Sequence, residues 1–182
     1  MSEPREPSFA EALEIAAQWI GLWEAGELSD EVLADRVGEL VASRDGARGF
    51  FVVALAGDAP LMDRLNDPLV QQLRQAGAGV VDLMVRNLAM SSAMVVAHGR
   101  KGDSDQQAAS ERVRSRSTEL LRLLDPQAVG QRLQTLLAAV EPGEAAQVSQ
   151  SVADDRAFLD RWGYDDGQRK AIRQALTGVA ES

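Results

Sequence analysis

The 182-residue sequence contains no cysteine. Disulfides, cysteine-ligated zinc, iron–sulfur clusters and a cysteine nucleophile are thereby excluded, and the absence fits a reducing compartment. Histidine is nearly missing as well, since His98 is the only one. A serine triad would have to use it, yet the chain has no G-x-S-x-G elbow. No H-E-x-x-H pattern occurs, and Val95 rather than glutamate stands three residues before His98. The ligands of helical di-iron sites are therefore lacking. The Walker sequence is absent too, and the Gly-x-Gly of "AGAGVVD" follows a helical pattern instead of a strand, so nucleotide binding is not indicated. No cofactor and no metal are expected.

Aromatic residues amount to only 4%. A core must then be built from Leu, Val, Ala and Met, which favours helices over sheets. The opening "MSEPREPSFAEALEIAAQ" is acidic and lacks the pattern of a secretion signal. Runs of apolar residues stop short of the roughly 18 needed to span a bilayer. The expected protein is soluble and cytoplasmic.

Charge is abundant but uneven. Residues 1–45 carry eleven acids against Arg5, Arg36 and Arg44, a net −8 out of the total −9; residues 46–140 sum to +2 and 141–182 to −3. Such an acidic first third repels phosphate backbones and anionic lipid, so nucleic acid and membrane are poor partners. A basic protein partner remains compatible, and solubility alone is the plainer account.

What is present reads as helix throughout. After a lead over residues 1–7, Ser8 and Glu11 form a capping box, and Phe9, Leu13, Ala16, Ile20 and Trp23 share one helical face. A second helix runs from Ser29 to about Ser43. The apolar stretch Gly49–Ala56 could be a strand, but no partner strand exists, and an isolated one leaves its backbone unsatisfied. It is read as a buried helix. Asp58-Ala59-Pro60, Asp67-Pro68 and Asp125-Pro126 mark helix starts. Two long helices are predicted over Val80–His98 and Asp105–Leu124, with a turn from Gly99 between them. A break at Pro142-Gly143 precedes a helix to Arg161 and a last one to Leu176. The expectation is an all-α, single-domain helical bundle of about seven or eight helices over residues 8–178, joined by short Gly/Pro/Asp turns. Residues 143–182 read alternatively as a C-terminal helical hairpin appendage.

Three groups stand out as functional candidates. Met84, Asn87, Ser91, Met94 and His98 fall on one stripe of the first long helix, with Asp82 and Arg86 four apart on another side. Met84 and His98 are about 21 Å apart along the axis, too far to share a metal ion. The stripe is either a packed seam or the lining of a ligand pocket. On the second long helix Arg116 lies within about 20° of Ala109, inside the seam Ala109, Val113, Leu120 and Leu124, with Arg112 at its edge. A buried arginine requires an anionic partner. Finally, Trp19 and Trp23, four apart, are candidate interface residues, with Trp162-Gly163-Tyr164 a second aromatic spot; Asp154, Asp155, Asp160, Asp165 and Asp166 read as a solvated acidic end.

These features point first to a non-catalytic helical protein acting by protein–protein interaction, as an adaptor, regulator or scaffold, with a protein partner or as a homo-oligomer. The alternative is a small-molecule-binding protein or enzyme with an apolar pocket lined by Asn87, Ser91, His98, Arg86 and Arg116.

Overall fold

A computed structural model describes residues 5–141, 143 and 148–182. The first four residues of the expected lead and Pro142 of the expected break lie outside the described residues. Among those described, every regular element is helical, with nine α-helices and one short 3₁₀ turn. The all-α expectation is met, with one or two more helices than the sequence suggests.

The chain divides into two compact units, Met1–Leu83 and Met84–Ser182. The division falls inside a single long helix.

In the first unit, α1 (Phe9–Glu24) starts at Ser8, whose side chain accepts from the Glu11 N–H while Glu11 accepts from the Ser8 N–H, as the capping box requires. Gly26, at φ 77°, ends α1: the Gly26 N–H donates to the Trp23 carbonyl and the Glu27 N–H to that of Leu22. This paired closure satisfies carbonyls that a helix end otherwise leaves open. α2 (Asp30–Val41) and α3 (Arg44–Ala56) follow. Gly49–Ala56 is thus helical, and the helix begins five residues earlier, capped by Ser43. Phe50 and Phe51 are buried and meet edge to face at 4.9 Å. The start expected at Asp58-Ala59-Pro60 yields only the 3₁₀ turn Pro60–Met62. Asn66 caps a new helix only a few residues later, so no room is left for propagation. That turn still buries Leu61 and Met62 before α4 (Asp67–Gln75) begins. α1 packs chiefly on α3, and α2 on α4.

The long helix α5 (Ala78–Lys101) overruns its expected bounds at both ends. It passes through Gly99 and stops at Gly102, φ 69°, where the Gly102 N–H donates to the Gly99 carbonyl and the Asp103 N–H to that of His98. An 18-residue window of α5 has a mean hydropathy of 1.5, long and apolar enough by composition to cross a membrane. This corrects the expectation that no stretch approaches that length. Half of the window is buried inside the protein, as in a central helix.

The second unit continues with α6 (Ser104–Leu123), α7 (Pro126–Val140), α8 (Gln150–Trp162) and α9 (Asp166–Ala180). α7 packs against both α8 and α9. The final helix runs four residues beyond Leu176 because Val179 extends the buried face of Ile172 and Leu176. α8 and α9, the hairpin suspected of being an appendage, belong to this unit.

Candidate functional site

The stripe on α5 changes character along its length. Met84 is fully buried, Ser91 is buried, Asn87 and His98 are half-buried, and Met94 is exposed. The Ser91 hydroxyl donates to the Leu88 carbonyl at 3.2 Å, and the Ser92 hydroxyl donates to the same oxygen at 2.7 Å. Both serine protons are thus used within the helix itself, a pattern of serines inside apolar helices. Beside the stripe, the Arg86 guanidinium lies 5.0 Å from the centroid of the Phe158 ring, linking α5 to α8 by a cation–π contact. Arg116 is buried at 4% exposure, as its place in the seam predicts, and it is engaged in an interaction. Ser117 beside it is buried as well, whereas Ala109 and Arg112 are exposed. The seam therefore runs through Arg116, Ser117, Leu120 and Leu121 rather than up to Ala109.

The α5 stripe ends where the start of α9 docks. Arg100 donates to both carboxylate oxygens of Asp165, at 2.5 and 3.3 Å. Asp165 is also the N-cap of α9: its carboxylate accepts from the Gln168 N–H at 2.9 Å, and the Gln168 side chain accepts from the Asp165 N–H. Gln168 then uses its amide nitrogen to donate to the Ala93 carbonyl of α5, at 3.2 Å. One carboxylate thus caps a helix and anchors it to a neighbour. The hydrogen bond from Arg100, followed by that from the Gln168 backbone, holds the Asp165 carboxyl below the usual range, and the same pair raises Arg100.

The expected acidic end is in large part a set of ion pairs. Asp155 is 2% exposed and receives two hydrogen bonds from Arg132, at 2.7 and 2.8 Å. Asp160 pairs with Arg169 at 3.0 Å, and Arg173 pairs with Glu141 at 2.7 Å. The reading of Asp155 as solvated is corrected, because its position on α8 faces the half-covered Arg132 of α7. Only Asp154 and Asp166 remain exposed without an arginine among the described pairs. Tyr164 is buried, and burial alone pushes its phenol up to about 12. Trp162, in contrast, is 54% exposed at the corner formed by the left-handed Gly163.

In the first unit Trp19 and Trp23 are both half-buried. The Trp23 indole N–H donates to Asp30 at 2.8 Å, which closes the α1–α2 turn. Around that turn Glu24, Glu27, Asp30 and Glu31 are exposed, and Val32 is 43% exposed. At the opposite end of α1 an open polar cleft of about 750 Å³ is lined by Arg5, Arg44 and Arg48 and by Glu6, Glu11 and Asp45. Arg5 pairs with Glu11 and Arg48 with Asp45, so these charges cancel instead of forming an anion site. Among the described residues no three histidine or acidic side chains are grouped to hold a metal ion.

The Asp165–Gln168 spacing makes the cap of α9 legible in the sequence, but not its role as an anchor. Arg100 lies 65 residues away and nothing local points to it.

Residues 8–179 match the model of a family described as Uncharacterised conserved protein UCP020893. The chain belongs to this family. No curated protein and no solved structure matches it. The family match runs from the cap of α1 to the last buried residue of α9, and so takes in both units.

Proposed function

We propose that this chain is a non-catalytic helical protein that acts by contact with another protein. Its first unit makes that contact, with a basic segment of the partner. The observation that carries this reading is the segregation of charge. The first unit holds fifteen acids and six arginines, a net −9, whereas the second holds thirteen residues of each sign and is neutral.

The exposed acids of the α1–α2 turn adjoin half-buried Trp23 and exposed Val32. Such a surface joins long-range attraction to an aromatic anchor: charge raises the encounter rate, and the buried ring supplies persistence. Two copies meeting through it would bring −9 against −9, which disfavours self-association there. Nucleic acid and anionic lipid are repelled for the same reason. A reducing, cytoplasmic setting suits a chain without cysteine.

The test is photo-crosslinking in the cells that make the protein, with a photoreactive residue at position 27 and a control at position 127. A discrete adduct to a Lys/Arg-rich protein is expected from position 27 only. Its yield should fall in a lysate brought to about 1 M salt before irradiation, where screening is nearly complete, and the adduct should disappear in the Glu24→Lys/Glu31→Lys variant. An adduct indifferent to charge reversal, or formed only from position 127, overturns the reading.

A further inference from the structure

α5 carries two largely apolar faces, and only one of them is fully buried. Val81, Met84, Val85 and Leu88 turn inward and are each at most 5% exposed. Across the helix, Leu83, Asn87, Met90, Met94, Ala97 and Lys101 follow one another at alternating spacings of four and three residues. None of the six is buried: Met94 is 38% exposed, Lys101 is exposed, and the others are half-buried. Arg86, Ala93 and Arg100, which take the contacts with α8 and α9, lie to one side of this row.

Alternation of fours and threes is the spacing of a seam that packs on another helix, and here it persists over about 27 Å. The charges on α5 select the helix and its direction. Asp82 is the only acid of α5 and stands near its start, whereas Arg100 and Lys101 close it. A complementary helix must therefore present base at one end and acid at the other. A second α5 turned end for end does so. It sets Asp82 of each copy against the Arg100–Lys101 end of the other, with the two helix dipoles opposed. Parallel copies would instead bring Lys101 against Lys101.

The geometry points to a second copy of this chain, docked antiparallel through α5 about a two-fold axis at the level of Ser92. Such a contact is isologous, so every pairing occurs twice. Met90 faces Met94 of the second copy, and the pliable thioethers fill the centre. Asn87 faces the small Ala97, with His98 next to it as a hydrogen-bond partner for the amide. The Lys101 stem covers Leu83 and carries its ammonium towards Asp82. The second unit, which holds most of this seam, is neutral, so no net repulsion opposes the pairing there. None of the α1–α2 acids takes part, and the acidic contact is a separate surface. Six residues a side fall well short of the roughly 20–30 of a standard interface, so the pair is weak and governed by concentration.

Sedimentation velocity on the full chain, from about 1 µM to about 1 mM, reads this association. A shift from monomer to dimer is expected within that range. Met94→Glu, at an exposed position, should weaken it at least tenfold with the circular dichroism unchanged. Val52→Glu, at an exposed position of α3, should leave it unaltered. Because the chain has no cysteine, introduced ones report the orientation. A Leu83→Cys chain mixed with a Lys101→Cys chain under mild oxidation should give chiefly the mixed disulfide dimer. Disulfides only between like chains would show parallel helices and overturn the assignment. A monomer at every concentration, or a dimer indifferent to Met94→Glu, would overturn it as well.

Discussion

Gly167 stands where any side chain would meet Arg100. A Cβ at position 167 would lie 2.3 Å from the Arg100 Nη2 atom and 3.4 Å from the Asp165 carboxylate. The guanidinium reaches the cap of α9 only because the second residue of that helix has no side chain. The obstructing atom is the far end of a flexible arginine, so Gly167→Ala should displace Arg100 rather than distort the backbone. The lost pair is fully exposed and contributes little to stability, while alanine favours the helix over glycine by about 1 kcal/mol. Urea denaturation should therefore show a gain in stability of at most about 1 kcal/mol. The Asp165 carboxyl, followed by NMR, should nevertheless titrate closer to its ordinary range.

The same carboxylate makes the start of α9 acid-sensitive. Asp165 is held below its ordinary pKa of 3.8, first by Arg100 and then by the Gln168 N–H. A group depressed by folding contributes stability that is complete above the unfolded value and is lost as pH falls through the folded one. Local hydrogen-exchange protection of the first turn of α9 should therefore be constant above about pH 5 and decline below 3.8. Asp165→Asn retains a good cap but cannot ionise. Its protection profile should be flat across that range; a profile matching that of the unaltered chain would show that another group governs the acid response.

Asp155 and Arg132 behave differently because the acid is buried and the arginine is largely covered. With Asp155 at 2% and Arg132 at 16% side-chain exposure, removing the acid leaves a guanidinium with little water to replace it. Asp155→Ala should cost about 3–5 kcal/mol, while the double variant Asp155→Leu/Arg132→Met should recover most of that loss. Urea midpoints of the two variants decide the matter. Equal destabilisation would mean that packing around the pair, rather than its charge, is what the second unit requires.

Much of this architecture is legible in the sequence, and the limits have physical causes. Caps and breakers act over three or four residues, so the Ser8–Glu11 and Asp165–Gln168 boxes and the Asp125-Pro126 start are readable one by one. Helix ends are less so: Gly99 looks like a stop, but α5 continues to Gly102, where the left-handed turn closes on the His98 carbonyl. The angular position of Arg116 is legible, but Ala109 at nearly the same angle is exposed, so only the fold shows how far along α6 the buried seam reaches. The partners of Asp155 and Asp165 are not legible, since Arg132 and Arg100 lie 23 and 65 residues away. Carboxylates spaced along the sequence look solvated until the two helices that neutralise them, α7 and α5, are in view. The stripe from Met84 to His98 is real as a helical face, but only the fold shows that the serine protons are engaged within α5.

Close approach of α1 and α3 depends on a second glycine. A Cβ on Gly49 would lie 2.5 Å from the Ala12 Cβ and 2.9 Å from the Ala12 backbone carbon. Here the obstruction is rigid: backbone cannot swing aside as the Arg100 side chain can, so the helices must separate. Gly49→Ala should destabilise the first unit by about 1–3 kcal/mol, the usual cost of overpacking, despite the gain in helix propensity. Gly21 supplies the contrast. It lies in the same α1, is exposed, and a Cβ there would meet nothing within 4 Å. Gly21→Ala should stabilise by roughly 0.5–1 kcal/mol through propensity alone. Opposite signs for one substitution in a single pair of helices would separate the local preference of the chain from the packing that overrides it. If both variants shift the urea midpoint in the same direction, the α1–α3 contact is not the constraint that its geometry implies.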